Sequence, residues 1–271
     1  MDLEQLCQIR GNVRILKPLV HSITNPISIN QCANAVLAVG ARPVMAEQPK
    51  EVKEITKTAN SLMLNVGNIT DARMKSIMIS ARIARDRNIP CIIDAVGVAC
   101  SELRRNFVLN VLEKYTPSVI KGNYSEIKSL LDIYYKAKGV DCDNNLDIYS
   151  VEDALIKLSQ KYNTTVLATG KTDMITDGRK IIYIKNGTED LAEITGTGCM
   201  LGAILGSYLS VSDSLSAAIS ACVLLGICGE LSKTDKGAGS FMVNILDKLS
   251  TITDEEIKEC IRMEEKKIEK I

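Results

Sequence analysis

The chain has 271 residues, of which 46% are hydrophobic and 24% are charged, with 33 basic and 33 acidic side chains. This balance creates no overall field that would attract nucleic acid or an anionic membrane surface. The chain also has no Trp and only two Phe, which argues against base stacking on aromatic side chains. Length and composition together predict a single α/β domain over residues 1–271.

The histidine and cysteine content narrows the chemistry further. His21 is the only histidine, so a metal site built from several histidines is excluded, whereas a Ser-His-Asp triad is not. The nine cysteines contain no Cys-x-x-Cys pair and fit reduced thiols. Met1–Glu4 is acidic, without an apolar signal core, and the apolar runs near 199–209 and 215–228 are too short and interrupted to span a bilayer. We therefore expect a cytoplasmic protein.

The first half of the chain alternates short apolar segments with helical patterns of about a dozen residues. Strands are predicted at residues 19–25, 43–46, 61–65, 91–94 and 118–123. Helices are predicted at residues 1–17, 29–37, 50–59, 71–87, 103–115 and 124–131. On the helix over 71–87, the periodicity places the following side chains toward the core: Met74, Ile77, Met78, Ala81 and Ile83.

The second half begins with a predicted exposed loop over 136–149, which carries a glycine and several Asp and Asn. A helix over 151–161 and a strand over 165–170 follow. Two further strands are joined by Asp177-Gly178 and form a hairpin. The remaining chain is predicted to be helical, over 197–210, 213–232, 240–250 and 254–269. Strands that alternate with helices predict a mainly parallel central sheet with helices on both faces.

Polar or glycine-containing corners follow nearly every predicted strand. They are Thr24-Asn25, Ala46-Glu47, Asn65–Gly67, Asp94, Lys121–Asn123 and Thr169-Gly170. In open α/β sheets the carboxyl ends of the strands line one crevice, and ligands bind there. The sequence therefore predicts that these corners form a common site.

A glycine-rich stretch, Glu193–Ala203, leads into an apolar helix. The first amides of a helix have no partner inside it and carry a partial positive charge, which favours a bound phosphate. The alternative is an ordinary turn capped by Thr195 or Thr197. The stretch ends in Gly-Cys-Met rather than Gly-Lys-Ser/Thr, so it is not a Walker loop, and it also lacks the third small residue and distant acid of a dinucleotide fingerprint.

Asp94 ends a strand that is otherwise apolar, and burying its carboxylate is costly unless it meets a cation. A Mg²⁺ shared with phosphate oxygens would satisfy it. A phosphate loop together with such a carboxylate suggests phosphoryl transfer. The alternative is that Asp94 caps the helical segment near Val98–Ser101.

The segment Lys121–Glu126 supplies a cation, an amide and a carboxylate. Asn123 and Glu126 have the spacing of a capping box, and the same pair would also suit the outer shell of a magnesium water. Thr169-Gly170 and Asp173, taken alone, are typical of turns. These residues therefore support either a local structural role or a nucleotide site.

Taken together, these motifs resemble the hydroxyethylthiazole kinase family, ribokinase-like enzymes of thiamine salvage. The resemblance runs from His21 to Leu249 and rests on these blocks in this order: Val20–Asn25 with Asn30 and Ala33-Asn34, Gly40–Met45, Leu64–Gly67, Asp94–Val98, Lys121–Glu126, Thr169–Asp173, Thr195–Cys199 and Gly237–Phe241. Each block alone is weak, and their joint order and spacing are specific.

The resemblance implies a three-layer ribokinase-like fold and transfer of the γ-phosphate of ATP to the primary alcohol of 4-methyl-5-(2-hydroxyethyl)thiazole. It also implies a homotrimer with active sites between subunits. Met45, Asn25 and Gly196 would then bind the thiazole substrate. No nucleic acid or membrane partner is expected.

The same resemblance assigns Lys121, Thr169 and Asn123 to ATP binding. Asp94 and Glu126 correspond to the groups that hold Mg²⁺, the implied cofactor, with Asn123 in the same cluster. Two of these regions depart from the family pattern, since Lys121 and Ala95 stand where the family usually has Arg and Pro. Lys keeps the charge but gives up the fork geometry that Arg offers to phosphate.

The catalytic anion hole of the wider superfamily corresponds to Gly196, Thr197, Gly198 and Cys199. A cysteine in the first turn of a helix is expected to have a lowered pKa. The transition state of phosphoryl transfer is loose, however, so the alcohol need not lose its proton early. Our hypothesis is that Cys199 mainly shapes the hydroxyl pocket and is a poor base.

Two alternatives remain at this stage. One is another ribokinase-like vitamin kinase, such as an enzyme that acts on hydroxymethylpyrimidine. The other is an oligomer without activity that senses thiazole or nucleotide, against which Asp94, Glu126 and Lys121 argue. The missing fingerprint disfavours a dehydrogenase.

Overall fold

The computed structural model describes residues 3–132, 135 and 147–268. The strands are β1 (Leu19–Ile23), β2 (Arg42–Val44), β3 (Ser61–Asn65), β4 (Cys91–Asp94), β5 (Val119–Asn123), β6 (Thr165–Thr169), β7 (Asp173–Thr176), β8 (Lys180–Ile184) and β9 (Met263–Lys267). The helices are α1 (Leu3–Leu16), α2 (Ile29–Ala38), α3 (Val52–Thr58), α4 (Asp71–Asp86), α5 (Glu102–Tyr115), α6 (Tyr124–Ser129), α7 (Ile148–Tyr162), α8 (Thr197–Leu209), α9 (Ser214–Leu231), α10 (Ala238–Thr251) and α11 (Asp254–Cys260). A 3₁₀ turn lies at Glu189–Leu191.

These strands form one sheet in the order β2-β1-β3-β4-β5-β6-β7-β8-β9. The six strands from β2 to β6 run parallel, and β7, β8 and β9 are added in antiparallel fashion. Apart from the edge strand β2, the parallel strands are buried along most of their length, as expected for a sheet covered on both faces. The predicted mainly parallel sheet is confirmed.

Two hydrophobic cores lie on opposite faces of the sheet. Successive residues of a strand point to opposite faces, so Ile92 packs in one core and Ile93 in the other. The first core contains buried residues of α1, α2, α8, α9 and α10. The second contains those of α4, α5, α6 and α7, with Val52 from α3. The three-layer α/β architecture predicted from the sequence is thereby confirmed.

Helix α8 lies directly against the sheet, and two of its glycines make this close approach possible. A Cβ on Gly202 would lie 2.7 Å from Met63 Cε, and one on Gly206 would lie 3.0 Å from Val20 Cγ1. Its neighbour α9 is the one described helix that is long and apolar enough to cross a membrane by length and composition, yet 78% of it is buried inside the protein. Both are core helices.

The helix predicted over 254–269 begins at Asp254 as predicted, but its extension beyond Cys260 is wrong. Only α11 is helical, and the chain then forms β9, which pairs with β8 along its length. The loop predicted over 136–149 falls mostly outside the described residues, and at its end α7 already begins at Ile148, capped by Asp147. In both places the helix boundary depends on a cap or a strand partner that periodicity alone does not reveal.

The buried face of α4 also differs from the expectation. Ile77, Ala81 and Ile83 are buried as predicted, but Met74 and Met78 are only half-buried. A row of polar residues lies in the interior beside them: Arg73, Ser76 and Ser80. The hydrophobic pattern missed this row because it counts polar residues as exposed.

Candidate active site

The carboxyl ends of the parallel strands bring most of the predicted site residues to one edge of the sheet. The strand register places Asn65 beside Asp94 and Asp94 beside Lys121. Farther along the same edge, Asn123 is the register partner of Thr169. Neighbouring parallel strands lie about 4.8 Å apart, so these five residues line one continuous strip of the crevice.

The start of α8 opens toward this strip. Its N-cap is Gly196, whose φ of +97° suits glycine, and within the described residues no side chain caps this end. Thr197 instead donates its hydroxyl to Leu191 O at 2.7 Å, so the turn capped by Thr195 or Thr197 is wrong. Gly198 is exposed and Gly196 and Thr197 are half-buried. The helix beyond is almost entirely buried, which fixes the direction of these amides.

A buried ion pair lies in front of this helix start. Lys121 Nζ is 3.0 Å from each oxygen of Asp94, and their side chains are only 4% and 1% exposed. Asn65 Nδ2 donates to Asp94 Oδ2 at 3.0 Å. The cation that the sequence required for Asp94 is therefore Lys121, and the alternative that Asp94 caps the next helix is wrong, because Ser101 caps α5.

Lys121 connects the ion pair to the helix start. Its Nζ lies 3.9 Å from the position that a Cβ on Gly198 would take. Burial lowers the pKa of Lys121, but the charge of Asp94 more than offsets this, so the pKa is raised above its ordinary value. Lys121 is therefore a cation at neutral pH, placed beside the unpaired amides of α8.

Cys199 lies in the first turn of α8. Its Sγ accepts from Asn65 Nδ2 at 3.3 Å, and it is buried. Burial and then the negative charge of Asp94 raise the pKa of Cys199, and the contacts with Ser28, Lys121 and Asn65 offset only part of this rise. The lowered pKa expected from its helix position is wrong, because the neighbouring carboxylate and the loss of water outweigh the helix dipole.

Asn123 and Glu126 form the predicted capping box at the start of α6. Glu126 accepts from Asn123 N at 2.7 Å with one oxygen and from Gly97 N at 2.6 Å with the other. Burial and the charge of Asp94 raise the pKa of Glu126 to about 7 despite these hydrogen bonds. The box joins the turn after β4 to the start of α6, so the structural role predicted for the pair is confirmed.

Thr169 and the turn after it lie next to the capping box. Thr169 Oγ1 donates to Gly122 O at 3.4 Å, and Gly170 N donates to Asp173 Oδ1 at 3.1 Å. Tyr124 donates its hydroxyl to Thr172 O across this turn. The predicted turn chemistry is confirmed, and the turn is held on the side of the crevice where Asn123 ends β5.

Of the three residues assigned to the thiazole, Gly196 caps α8, whereas Asn25 and Met45 lie on two separate segments. Asn25 follows β1, and its Oδ1 accepts from Ile27 N at 3.0 Å. The loop that it begins reaches the helix start, because a Cβ on Gly196 would lie 2.9 Å from Ser28 Cβ. Met45 follows β2, is half-buried and packs against the first core. Both segments border the crevice at its β2 end.

The carboxylates were also tested as ligands for a divalent cation. Among the described residues, no group of three or more His, Cys, Asp or Glu is arranged to hold a metal ion. The two carboxylates at the crevice already have partners, Lys121 for Asp94 and two amides for Glu126. This donor set cannot form a cage, but it fits the usual mode of Mg²⁺, which keeps its waters and binds chiefly to substrate phosphates.

Sequence reasoning missed the central role of Asn65. Its amide bridges Asp94 and Cys199, and its Oδ1 accepts from Gly67 N at 2.8 Å. An asparagine at the end of a fully buried strand was the available signal, since a buried amide must find partners. Ser28 was missed as well, because nothing near it in sequence points toward α8.

Solved structures of similar shape show the fold of this chain. A pyridoxal kinase from Staphylococcus aureus superposes with a TM-score of 0.66 over 93% of this chain and 99% of that chain, at 12% identity. At this identity the likeness shows the fold alone, which is that of the ribokinase-like kinases.

Closer relatives define the family. Residues 11–255 match the family model of the hydroxyethylthiazole kinase family. Hydroxyethylthiazole kinase 2 from Clostridium botulinum (strain Langeland) is 48% identical over 263 residues, covering 94% of this chain and 98% of the relative. A hydroxyethylthiazole kinase structure from Pyrococcus horikoshii OT3 has a TM-score of 0.89 and 32% identity over 97% of this chain and 100% of that chain. This chain belongs to the hydroxyethylthiazole kinase family, as its motifs predicted, and it is a kinase.

Proposed function

We propose that this kinase transfers the γ-phosphate of ATP to the primary alcohol of 4-methyl-5-(2-hydroxyethyl)thiazole and so serves thiamine biosynthesis or salvage. The observation that carries the proposal is the buried cation of Lys121 beside the open start of α8, at the strand edge where ligands of α/β folds bind. Family membership supplies the choice of substrate. Residues 1–271 would work as one catalytic domain.

The nucleotide would lie along the β5–β6 end of the crevice. Lys121 would neutralise phosphate charge, while Asn123 and Thr169 would contact the rest of the nucleotide from adjacent strands. Because phosphoryl transfer needs positioning and charge stabilisation more than covalent help, a fixed ammonium and a rigid strand edge suit it. Lys121 can approach a phosphate while Asp94 still holds the other side of its ammonium group.

The acceptor would lie at the other end, near Met45 and Asn25, with its hydroxyl directed at Gly196. Backbone amides of Thr197, Gly198 and Cys199 would form the anion hole that receives the charge on the transferred group during an in-line displacement. The described contacts leave this helix start without a side-chain cap. Those amides would thus be available to a ligand.

When bound with ATP, the implied Mg²⁺ would supply charge screening at the phosphates. Asp94 and Glu126 would hold its water shell, because both are carboxylates at the crevice and neither belongs to a protein cage. Asp94 also keeps Lys121 in place, and Glu126 keeps the turn after β4 in place. Their contribution to binding therefore begins with the orientation of neighbouring groups.

Cys199 would shape the hydroxyl pocket rather than remove the proton. Its raised pKa keeps the thiol protonated at neutral pH, and a protonated thiol is a weak acceptor for a proton. Cys199 lies in the first turn of α8, and its Sγ accepts a hydrogen bond from Asn65 Nδ2 at 3.3 Å. In this position the thiol would line the hydroxyl pocket. We further propose a cytoplasmic homotrimer with Met45 near a neighbouring subunit, both inferred from the family resemblance.

The direct test is incubation of the purified protein with the thiazole alcohol and MgATP, followed by mass spectrometry. A product heavier than the alcohol by one phosphate is expected, with ADP formed in equal amount. Parallel reactions use hydroxymethylpyrimidine and pyridoxal as acceptors, and Lys121→Met as the inactive control. Preference for hydroxymethylpyrimidine or pyridoxal would assign a different acceptor, and binding of the thiazole without turnover would indicate a sensor. Either result would reject the proposed reaction.

A further inference from the structure

The polar row on α4 lies in the interior, where polar side chains are costly unless they are bonded. Arg73, Ser76 and Ser80 are spaced three and four residues apart, which puts them on one face of the helix. They are at most 3% exposed. Burying an arginine and two hydroxyls requires partners, and the partners of Arg73 and Ser76 belong to the segments that carry the proposed acceptor site.

The guanidinium group of Arg73 donates hydrogen bonds to two loops, one after β1 and one after β3. Its Nη1 donates to Gly67 O at 3.0 Å and to Asn68 O at 2.7 Å, both in the loop after β3. Its Nη2 donates to Thr24 O, the residue before Asn25 in the loop after β1. These are charge-assisted bonds, which are stronger than neutral ones, and those to Gly67 O and Thr24 O are buried. Arg73 thus fixes the backbone on both sides of the crevice floor at this end.

The segment that follows β2 is tied to the same helix. Glu47 pairs with Arg73, with Glu47 Oε2 at 3.2 Å from Nε. Ser76 Oγ donates to the backbone carbonyl of Glu47 at 2.7 Å. Two adjacent turns of α4 therefore hold Glu47, two residues after Met45, by its side chain and by its backbone.

His21 adds a third tie to this segment. Its Nε2 lies 2.8 Å from Ala46 O, and a carbonyl can only accept, so Nε2 carries the proton. Its Nδ1 faces Thr56 Oγ1 at 3.0 Å, and Thr56 in turn contacts Ser80 Oγ at 3.0 Å. Burial lowers the pKa of His21 below its ordinary value and so keeps the ring neutral, while the carbonyl of Ala46 fixes this tautomer. The chain of contacts runs from α4 to Ala46, next to Met45.

We propose that Arg73 is a positioning residue for the acceptor alcohol. Together with Ser76 and His21, Arg73 fixes the segments that carry Asn25 and Met45 relative to the start of α8. This inference rests on the function proposed above. Small displacements of a reacting group from its attack geometry cost large factors in rate. Because the ties of Arg73 lead to the β1–β3 end of the crevice, they should affect the acceptor and leave the nucleotide side unchanged.

The experiment compares Arg73→Lys with a matched control, Arg10→Lys. Arg10 is also a buried arginine, paired with Asp254 and donating to Ile252 O at 2.8 Å, but on α1 against the C-terminal helices. For Arg73→Lys we expect the KM for the thiazole alcohol to rise about tenfold or more, with the KM for ATP within about twofold of the wild type. For Arg10→Lys we expect a comparable loss of thermal stability and no change in either KM.

Milder variants keep the test decisive if Arg73→Lys folds poorly. Glu47→Gln and Ser76→Ala each remove one tie to the segment after β2, and each should raise the KM for the alcohol by about threefold to tenfold. Calorimetric binding of the alcohol gives the same comparison without turnover. Unchanged acceptor KM and affinity in folded Arg73→Lys or in both mild variants would overturn the inference. A wild-type protein that does not phosphorylate the alcohol would instead reject the proposed function.

Discussion

The sharpest test of the site is removal of the cation from the buried pair. Lys121→Met keeps the length of the side chain but leaves Asp94 in the interior without the ammonium that lies 3.0 Å from both of its oxygens. Breaking a buried ion pair by deleting one partner typically costs about 3–5 kcal/mol. The side chains of Lys121 and Asp94 are only 4% and 1% exposed. We therefore expect Lys121→Met to lower the free energy of unfolding by about 3–5 kcal/mol.

Two further variants separate the charge from the shape. Lys121→Arg keeps the positive charge beside Asp94, so it should lower the free energy of unfolding less than Lys121→Met does. Asp94→Asn combined with Lys121→Met removes both charges and should recover about half of the loss or more. The coupling between the two positions would then be measured directly.

The assay is urea unfolding at neutral pH, followed by circular dichroism, with the free energy of unfolding taken from the midpoint at constant slope. ATP turnover is measured on the same samples. Loss of less than about 1 kcal/mol in Lys121→Met would mean that the pair is solvated like a surface ion pair, and the argument from burial would fail. Full ATP turnover in this variant would separately reject Lys121 as a nucleotide contact.

Three other variants test neighbouring parts of the site. The pKa of Glu126 is raised from 4.5 to about 7, which corresponds to about 3 kcal/mol. Ionisation of this carboxyl is therefore harder in the folded protein than in the unfolded chain. The stability of the wild type relative to Glu126→Gln should consequently fall as the pH rises from about 5 to about 8. A difference independent of pH would refute this. Cys199→Asp should keep or raise turnover, measured as ADP release, and collapse to background would show that the thiol is needed. Tyr124→Phe removes the hydroxyl bond to Thr172 O, so it should lower the free energy of unfolding by about 1 kcal/mol and raise the KM for ATP; an unchanged KM would separate the turn after β6 from the nucleotide site.

The mainly parallel sheet and its shared edge of polar corners could be predicted from the sequence because their signals are local. Most of the parallel strands are short, largely apolar runs followed by a polar corner, whereas the strand order and the register come from the structure. The capping box of Asn123 and Glu126 was also predictable, since its two members are three residues apart. Local spacing was sufficient wherever the partners are neighbours in sequence.

The features that the sequence did not predict depend on residues that are far apart in the chain. The charged run of β9 has weak strand propensity, and it is a strand only because β8 offers a free edge for pairing. The pKa of Cys199 depends on Asp94, more than a hundred residues away in sequence, and on burial. Arg73 looks like a surface residue in the helical pattern, and its role appears only when the loops after β1, β2 and β3 fold around it.

The two glycines of α8 let the helix pack closely on the sheet, and this packing sets how far the start of α8 lies from the strand ends. By helical rise, Gly202 and Gly206 lie about 7 Å and about 13 Å from Thr197 along the axis. Side chains at these positions would push α8 away from Met63 and Val20. The resulting tilt would move the N-terminus of α8 away from the ends of the strands. The room left for an acceptor is thus adjustable from the side of α8 that faces the sheet, so variants that accept bulkier alcohols should be sought there as well as in the crevice wall.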